Sequence, residues 1–217
     1  MAIIVRIRCE GTKPFMPEPM SDETLEMLRK GTRGASKKPD DPQEEADAKL
    51  YRDADGKIAI PVDNFWACLT EAGALVSYKG KRNLSNSEES LLPGVLNVQG
   101  DFLQFTDGGG YRVDKRRGRL DNGTAICIVR PRFDKWGFSA TLEIEDKFVD
   151  AEKIKELVKT AGRFKGMGGH RKKGRFGRFQ LVEWEVISGG DGTKSRAREP
   201  QAGKHVLQSG GRKGHGS

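Results

Sequence analysis

The sequence predicts an α+β fold, a ferredoxin-like (RRM-like) antiparallel sheet carrying two helices, with loop insertions and a disordered basic tail. Three observations lead there. Short alternating stretches rich in β-branched residues recur from the N-terminus to residue 187. Two segments, 64–77 and 151–161, place their apolar residues at helical spacing. The order is strand, insertion, strand, helix, strands, helix, strand, which suits one sheet covered by two helices. The expected organisation is a nucleic-acid-binding domain over 1–187, with insertions near 30–46 and 107–123, and a tail over 188–217.

Ala2 to Arg8 alternates with period two and predicts the first strand. Gly11 to Pro19, with three prolines, predicts a loop. Ser21 is an expected N-cap, with Thr24 to Arg29 helical. Lys30 to Ala46 has almost nothing apolar and predicts an exposed or disordered insertion. Lys57 to Pro61 predicts a short strand ending at the proline. Asp63 is the expected cap of the next helix, whose inner face is Phe65, Cys68, Leu69, Ala72 and Leu75.

Ser85 to Leu92 reads as a further short helix, and Val95 to Phe105 as one or two strands. Asp107 to Gly123, with three consecutive glycines and five basic residues from Arg112 to Arg119, reads as the second insertion. Thr124–Arg130 and Gly137–Ile144 both alternate and predict a hairpin. Asp150 should cap the second helix, with Ile154, Leu157 and Val158 inward. Phe179 to Ile187 predicts the last strand.

The 217 residues carry a net charge of +8, which favours a polyanionic partner. Cys9, Cys68 and Cys127 stand far apart, which argues against a disulfide framework or a structural zinc site. Cys68 and Cys127 lie in apolar stretches and are expected to be buried thiols. The N-terminus lacks a signal-peptide pattern and no apolar run is long enough to span a membrane, so a cytoplasmic setting is expected. No metal or cofactor is expected.

The densest signal is AGRFKGMGGHRKKGRFGRF, residues 161–179. Six glycines interleave with seven Lys and Arg residues, and no acid interrupts them. Glycine lets a backbone take positive φ and lets a phosphate approach main-chain N–H groups. Arg can bind phosphate through two parallel hydrogen bonds. The expected nucleic-acid-binding residues are Arg163, Lys165, Gly166, Gly168, Gly169, His170, Arg171, Lys172, Lys173, Gly174, Arg175 and Arg178. The basic turn Lys79, Lys81, Arg82 joins them. Phe164 and Phe176 are candidates for stacking on bases, while Phe176 and Phe179 read equally well as core anchors of the last strand. The segment is not a nucleoside-triphosphate loop, since no Lys-Ser or Lys-Thr follows the glycines and the order is helix, loop, strand.

Residues 152–186 (EKIKELVKTAGRFKGMGGHRKKGRFGRFQLVEWEV) and 57–73 (KIAIPVDNFWACLTEAG) resemble the RAMP superfamily, the RNA-binding subunits of CRISPR systems. The first stretch is similar to the family's C-terminal glycine-rich loop. The second is similar to a segment of its backbone-forming subunits. Phage-encoded proteins share the general pattern. The resemblance implies a ferredoxin-like core that binds RNA through the glycine-rich loop, as a homo-oligomer or in a multi-subunit ribonucleoprotein.

Three functions follow from the residues. The first is a non-catalytic RNA-binding protein. The second is a metal-independent endoribonuclease using His170, the only histidine outside the tail, as general acid or base. The third is a phage single-stranded-DNA-binding protein. Asp40, Asp41, Asp53 and Asp55 read as solvated or turn residues.

Overall fold

A computed structural model describes residues 2–19, 22–31, 39–106, 108–119, 122–172 and 175–188. The elements are β1 (Ala2–Gly11), α1 (Asp22–Arg29), α2 (Pro42–Asp47), β2 (Ile60–Pro61), α3 (Val62–Gly73), β3 (Ser77–Lys79), β4 (Arg82–Asn83), β5 (Leu96–Val98), β6 (Phe102–Thr106), β7 (Arg112–Arg119), β8 (Ala125–Arg132), β9 (Gly137–Glu145), α4 (Ala151–Thr160) and β10 (Phe179–Ser188). The class is mixed α+β with an antiparallel sheet. Four α-helices, rather than two, lie among the described residues.

The main sheet runs β10–β1–β9–β6–β2, all antiparallel, and β5 pairs with the far half of β9. Strand alternation sorts its two faces. Val5, Ile7 and Cys9 of β1 and Phe138, Leu142 and Ile144 of β9 point to one side and are buried. There they meet Phe65, Cys68 and Leu69 of α3 and Ile154, Leu157 and Val158 of α4 in one apolar cluster. Asp150 caps α4 as expected, its carboxylate accepting the N–H of Glu152 at 2.9 Å.

The other face of the sheet is charged. Arg6 pairs with Glu185 at 3.6 Å, and Arg8 with Glu183 at 2.7 Å and Glu10 at 2.6 Å. Its cations are thus matched by carboxylates, and no aromatic residue of β1, β9 or β10 lies on it.

Several expectations need correction. The 30–46 segment is not wholly an exposed insertion. Pro42 opens α2, Asp41 caps it by accepting the N–H of Gln43 at 2.9 Å, and Glu45 and Ala46 are buried. The 107–123 segment is not a loop insertion, because Arg112–Arg119 is strand β7. It pairs with β8, so the hairpin is β7–β8 and not β8–β9, and β9 belongs to the main sheet. Charged residues on both faces of β7 hid its alternation.

Ser85–Leu92 is not helical. Ser85 bridges Ser90, and the Asn86 side chain accepts the N–H groups of Glu88 and Glu89, an Asx turn that competes with a helix. Helix α3 starts at Val62, with Pro61 in the cap position and Asp63 inside the first turn. Only Ile60 and Pro61 of the 57–61 stretch enter the sheet. Cys127 is exposed rather than buried, whereas Cys9 and Cys68 are buried. Ser21 and residues 189–217 lie outside the described residues.

Candidate nucleic-acid interface

Helix α4 does not stop at its last apolar contact. Its backbone widens into a π-turn, Ala161–Lys165, closed by the N–H of Gly166 donating to Ala161 O at 2.8 Å. This turn presents Arg163, Phe164 and Lys165 outward. Phe164 is 54% exposed, an unusual position for a phenylalanine. The Arg163 guanidinium lies 5.2 Å from the Phe164 ring centroid.

The loop that follows is stitched to the chain after β1. Gly169 donates to Met16 O at 2.8 Å, Gly177 to Pro14 O at 2.7 Å, Met167 to Gly177 O at 3.0 Å, and Thr12 to Arg178 O at 2.8 Å. Beneath it, Phe15 packs on Trp136 and Phe133, with centroids 4.9 and 6.2 Å away. The glycines permit this closeness. Gly177 has φ +67°, and an added Cβ would fall 1.8 Å from Met167 O. Gly168 has φ +76°, and its Cβ would fall 2.4 Å from Met16 O. The backbone N–H groups of Gly166, Gly169 and Gly177 therefore serve the domain itself.

Four of the expected residues come together. Lys165, Arg171, Lys172 and Arg178 line a cleft of about 380 Å³ with Phe164 and Glu71. Glu71, from α3, is its one carboxylate, and it accepts from Arg171 Nη2 at 2.6 Å. Arg178 Nη2 donates to Arg171 O at 3.2 Å. Arg171 Nε and Arg178 Nη1 are buried and have no hydrogen-bond acceptor among the described residues.

Arg163 lines a neighbouring cavity. Arg175 is exposed. Lys173 and Gly174 lie outside the described residues. Lys79, Lys81 and Arg82 sit on the β3–β4 hairpin, where Arg82 pairs with Glu89 at 2.8 Å. No hydrogen bond or ion pair among the described residues joins these three to the loop. Asp53 is the expected turn residue, accepting the N–H groups of Asp55 and Lys57.

His170 stands at the loop's tip with φ +57°. Partial desolvation and the nearby Arg130 hold its pKa below the usual imidazole value. Its ring centroid lies 6.2 Å from that of Phe176. Phe176 is 9% exposed and so is a packing residue, approached by the Arg116 and Arg132 guanidiniums at 4.6 and 5.7 Å. These arginines belong to the β7–β8 hairpin, and tertiary packing alone brings them to the loop. Arg130 pairs with Glu18. Asp114 bonds Arg116 at 3.0 Å and Arg132 at 3.3 Å. Burial alone would raise Asp114's pKa, yet the two guanidiniums hold it below the ordinary carboxylate value.

Among the described residues no group of three or more His, Cys, Asp or Glu has metal-holding geometry. Nor is any helix among them long and apolar enough to cross a membrane.

No protein-family model matches the chain, and no curated protein matches it. Among solved structures, it is similar to a chain in the cryo-EM structure of the type III-B Cmr-beta bound to cognate target RNA. The likeness covers 86% of this chain at 17% identity, with a TM-score of 0.46. The matched region spans 61% of the length of that chain.

Proposed function

We propose that this chain is a non-catalytic, RAMP-like RNA-binding protein that grips the phosphate backbone of a single strand through the side chains of loop 162–179. One observation carries the proposal. Lys165, Arg171, Lys172 and Arg178 converge on one cleft with the exposed ring of Phe164 at its rim, against a single carboxylate that is already paired. Cations beside an exposed aromatic are what a strand with charged phosphates and flat bases requires.

The sheet order supports a ferredoxin-like core. The four main strands run β10–β1–β9–β6, with α3 between β1 and β6 in sequence and α4 between β9 and β10. On the outer face of that sheet the arginines of β1 are charge-paired and Phe102 of β6 is partly exposed beside Arg6, whereas on the loop side an exposed ring stands among four cations, so binding is assigned to the loop side.

The test is fluorescence anisotropy with labelled single-stranded RNA and DNA, in EDTA, across a salt series. Lys165→Ala combined with Lys172→Ala removes one half-buried and one exposed cation without touching the loop's hydrogen bonds. The log–log salt slope is expected to fall by roughly 0.7 per lost contact, with RNA held more tightly than DNA. An unchanged slope in the folded double variant would overturn the proposed grip. Tighter DNA binding would turn the reading to a single-stranded-DNA binder. Metal-free cleavage lost in His170→Ala would turn it to a nuclease.

A further inference from the structure

On the far side of Arg178 from the basic cleft lies a second cavity of about 480 Å³. It opens where the end of β1, the last turn of α4 and the start of β10 meet. Phe179 and Leu181 form its apolar floor, and Lys13, Lys159, Arg163 and Arg178 stand around it. No carboxylate among the described residues lines it. The acids of β10, Glu183 and Glu185, point to the opposite face of the sheet, where they pair with Arg8 and Arg6. The walls are fixed: Phe179 is 2% exposed, and the N–H groups of Thr12 and Lys13 both donate to Arg178 O, at 2.8 and 3.2 Å.

An apolar floor inside a ring of cations suits a ligand that is flat and apolar in the middle and anionic at its edges. A nucleobase flanked by phosphates has that chemistry, and the volume falls in the range of small-ligand pockets. Arg178 lines both cavities, and the Arg163–Phe164 pair stands between them. A strand lying along the loop would therefore set a phosphate at Arg178, with the basic cleft on one side and the apolar cavity on the other.

We infer that this second cavity receives one nucleobase of the bound strand. The inference rests on the RNA-binding reading above and adds to it a defined place for a base. Two probes of equal length and charge test it, a short single-stranded RNA and the same oligomer with every base removed. Wild type is expected to bind the RNA at least ten-fold more tightly than the abasic oligomer. Leu181→Gln, which puts an amide into the floor, should remove much of that preference and leave abasic binding unchanged. RNA carrying photoreactive 4-thiouridine should crosslink to the wild-type peptides containing Thr12–Lys13 or Gln180–Leu181. The crosslink map needs no variant, so it decides the matter even if Leu181→Gln fails to fold.

Equal binding of the two probes, or crosslinks confined to 164–172, would overturn the base pocket while leaving the phosphate grip standing. Failure of both probes to bind would overturn the grip, and the pocket with it.

Discussion

Arg171 Nη2 lies 2.6 Å from Glu71 Oε1, an ion pair that ties the basic loop to the last turn of α3 across 100 residues of sequence. The pair fixes Arg171 in place and also lowers the positive charge of the cleft. Both side chains are partly exposed, at 26% and 34%, so the pair contributes only about 0.2–1 kcal/mol to stability. Glu71→Gln is therefore expected to leave the melting temperature within a few degrees of wild type. It should tighten RNA binding several-fold at low salt, an advantage that shrinks as salt screens the charge. Anisotropy at two ionic strengths measures this, and weaker binding would mean that Glu71 orients Arg171 for its ligand.

Phe164 and Phe176, twelve residues apart, should behave as opposites. Phe164 is 54% exposed and Phe176 9%. Phe164→Ala is expected to leave stability nearly unchanged and to cost about 1–3 kcal/mol of RNA binding, the usual worth of one stacked base. Phe176→Ala should cost about 3 kcal/mol of folding stability, read by urea denaturation, because it empties a packed site beside Arg116 and Arg132.

Gly177→Ala should be among the most damaging single-methyl changes in the chain. It combines φ +67° with a Cβ only 1.8 Å from a carbonyl oxygen. The left-handed conformation alone costs about 1–2 kcal/mol, and the clash adds to it. Gly80→Ala is the control, with φ +57° and nothing within 4 Å of the added Cβ. It should lose only about 1 kcal/mol. Equal losses in denaturant melts would mean that the loop can move away from Met167.

His170 gives the protein a signed pH dependence. Its folded pKa lies below the unfolded value, so between the two the unfolded chain binds more protons and stability rises with pH. The histidine costs nothing above the unfolded value of about 6.5 and destabilises progressively as pH falls below it. His170→Asn tolerates the positive φ and should flatten that part of the stability profile. NMR titration should place the imidazole below its ordinary value in the free protein and raise it when RNA is bound. An unshifted titration would mean that the ring is more fully solvated, or Arg130 farther from it, than the structure shows.

The mixed α+β class, the end strands, the capped helix α4 and the basic loop were all legible in the sequence, because each rests on a local period or a local composition. The β7–β8 pairing was not. RVDKRRGR holds one apolar side chain, and its strand depends on a partner whose own alternation fits β9 equally well. The site was legible as a segment but not as a surface. Lys165, Arg171, Lys172 and Arg178 were named, yet Glu71, Lys13, Lys159 and Arg116 reach the loop only through tertiary packing, which no spacing encodes. The glycines were read as room for a phosphate, and the structure uses that room for Phe15, Met16 and Met167.

The way the loop spends its backbone on Pro14, Met16 and its own turns has a consequence for traffic along a strand. Main-chain donors hold an oxygen at one fixed point, whereas the tip of an exposed side chain such as Lys172 sweeps a volume. A polymer held mainly by such tips meets nearly the same attraction after advancing by one repeat. The protein would then be expected to slide along its strand in small, cheap steps, pausing where a base drops into place.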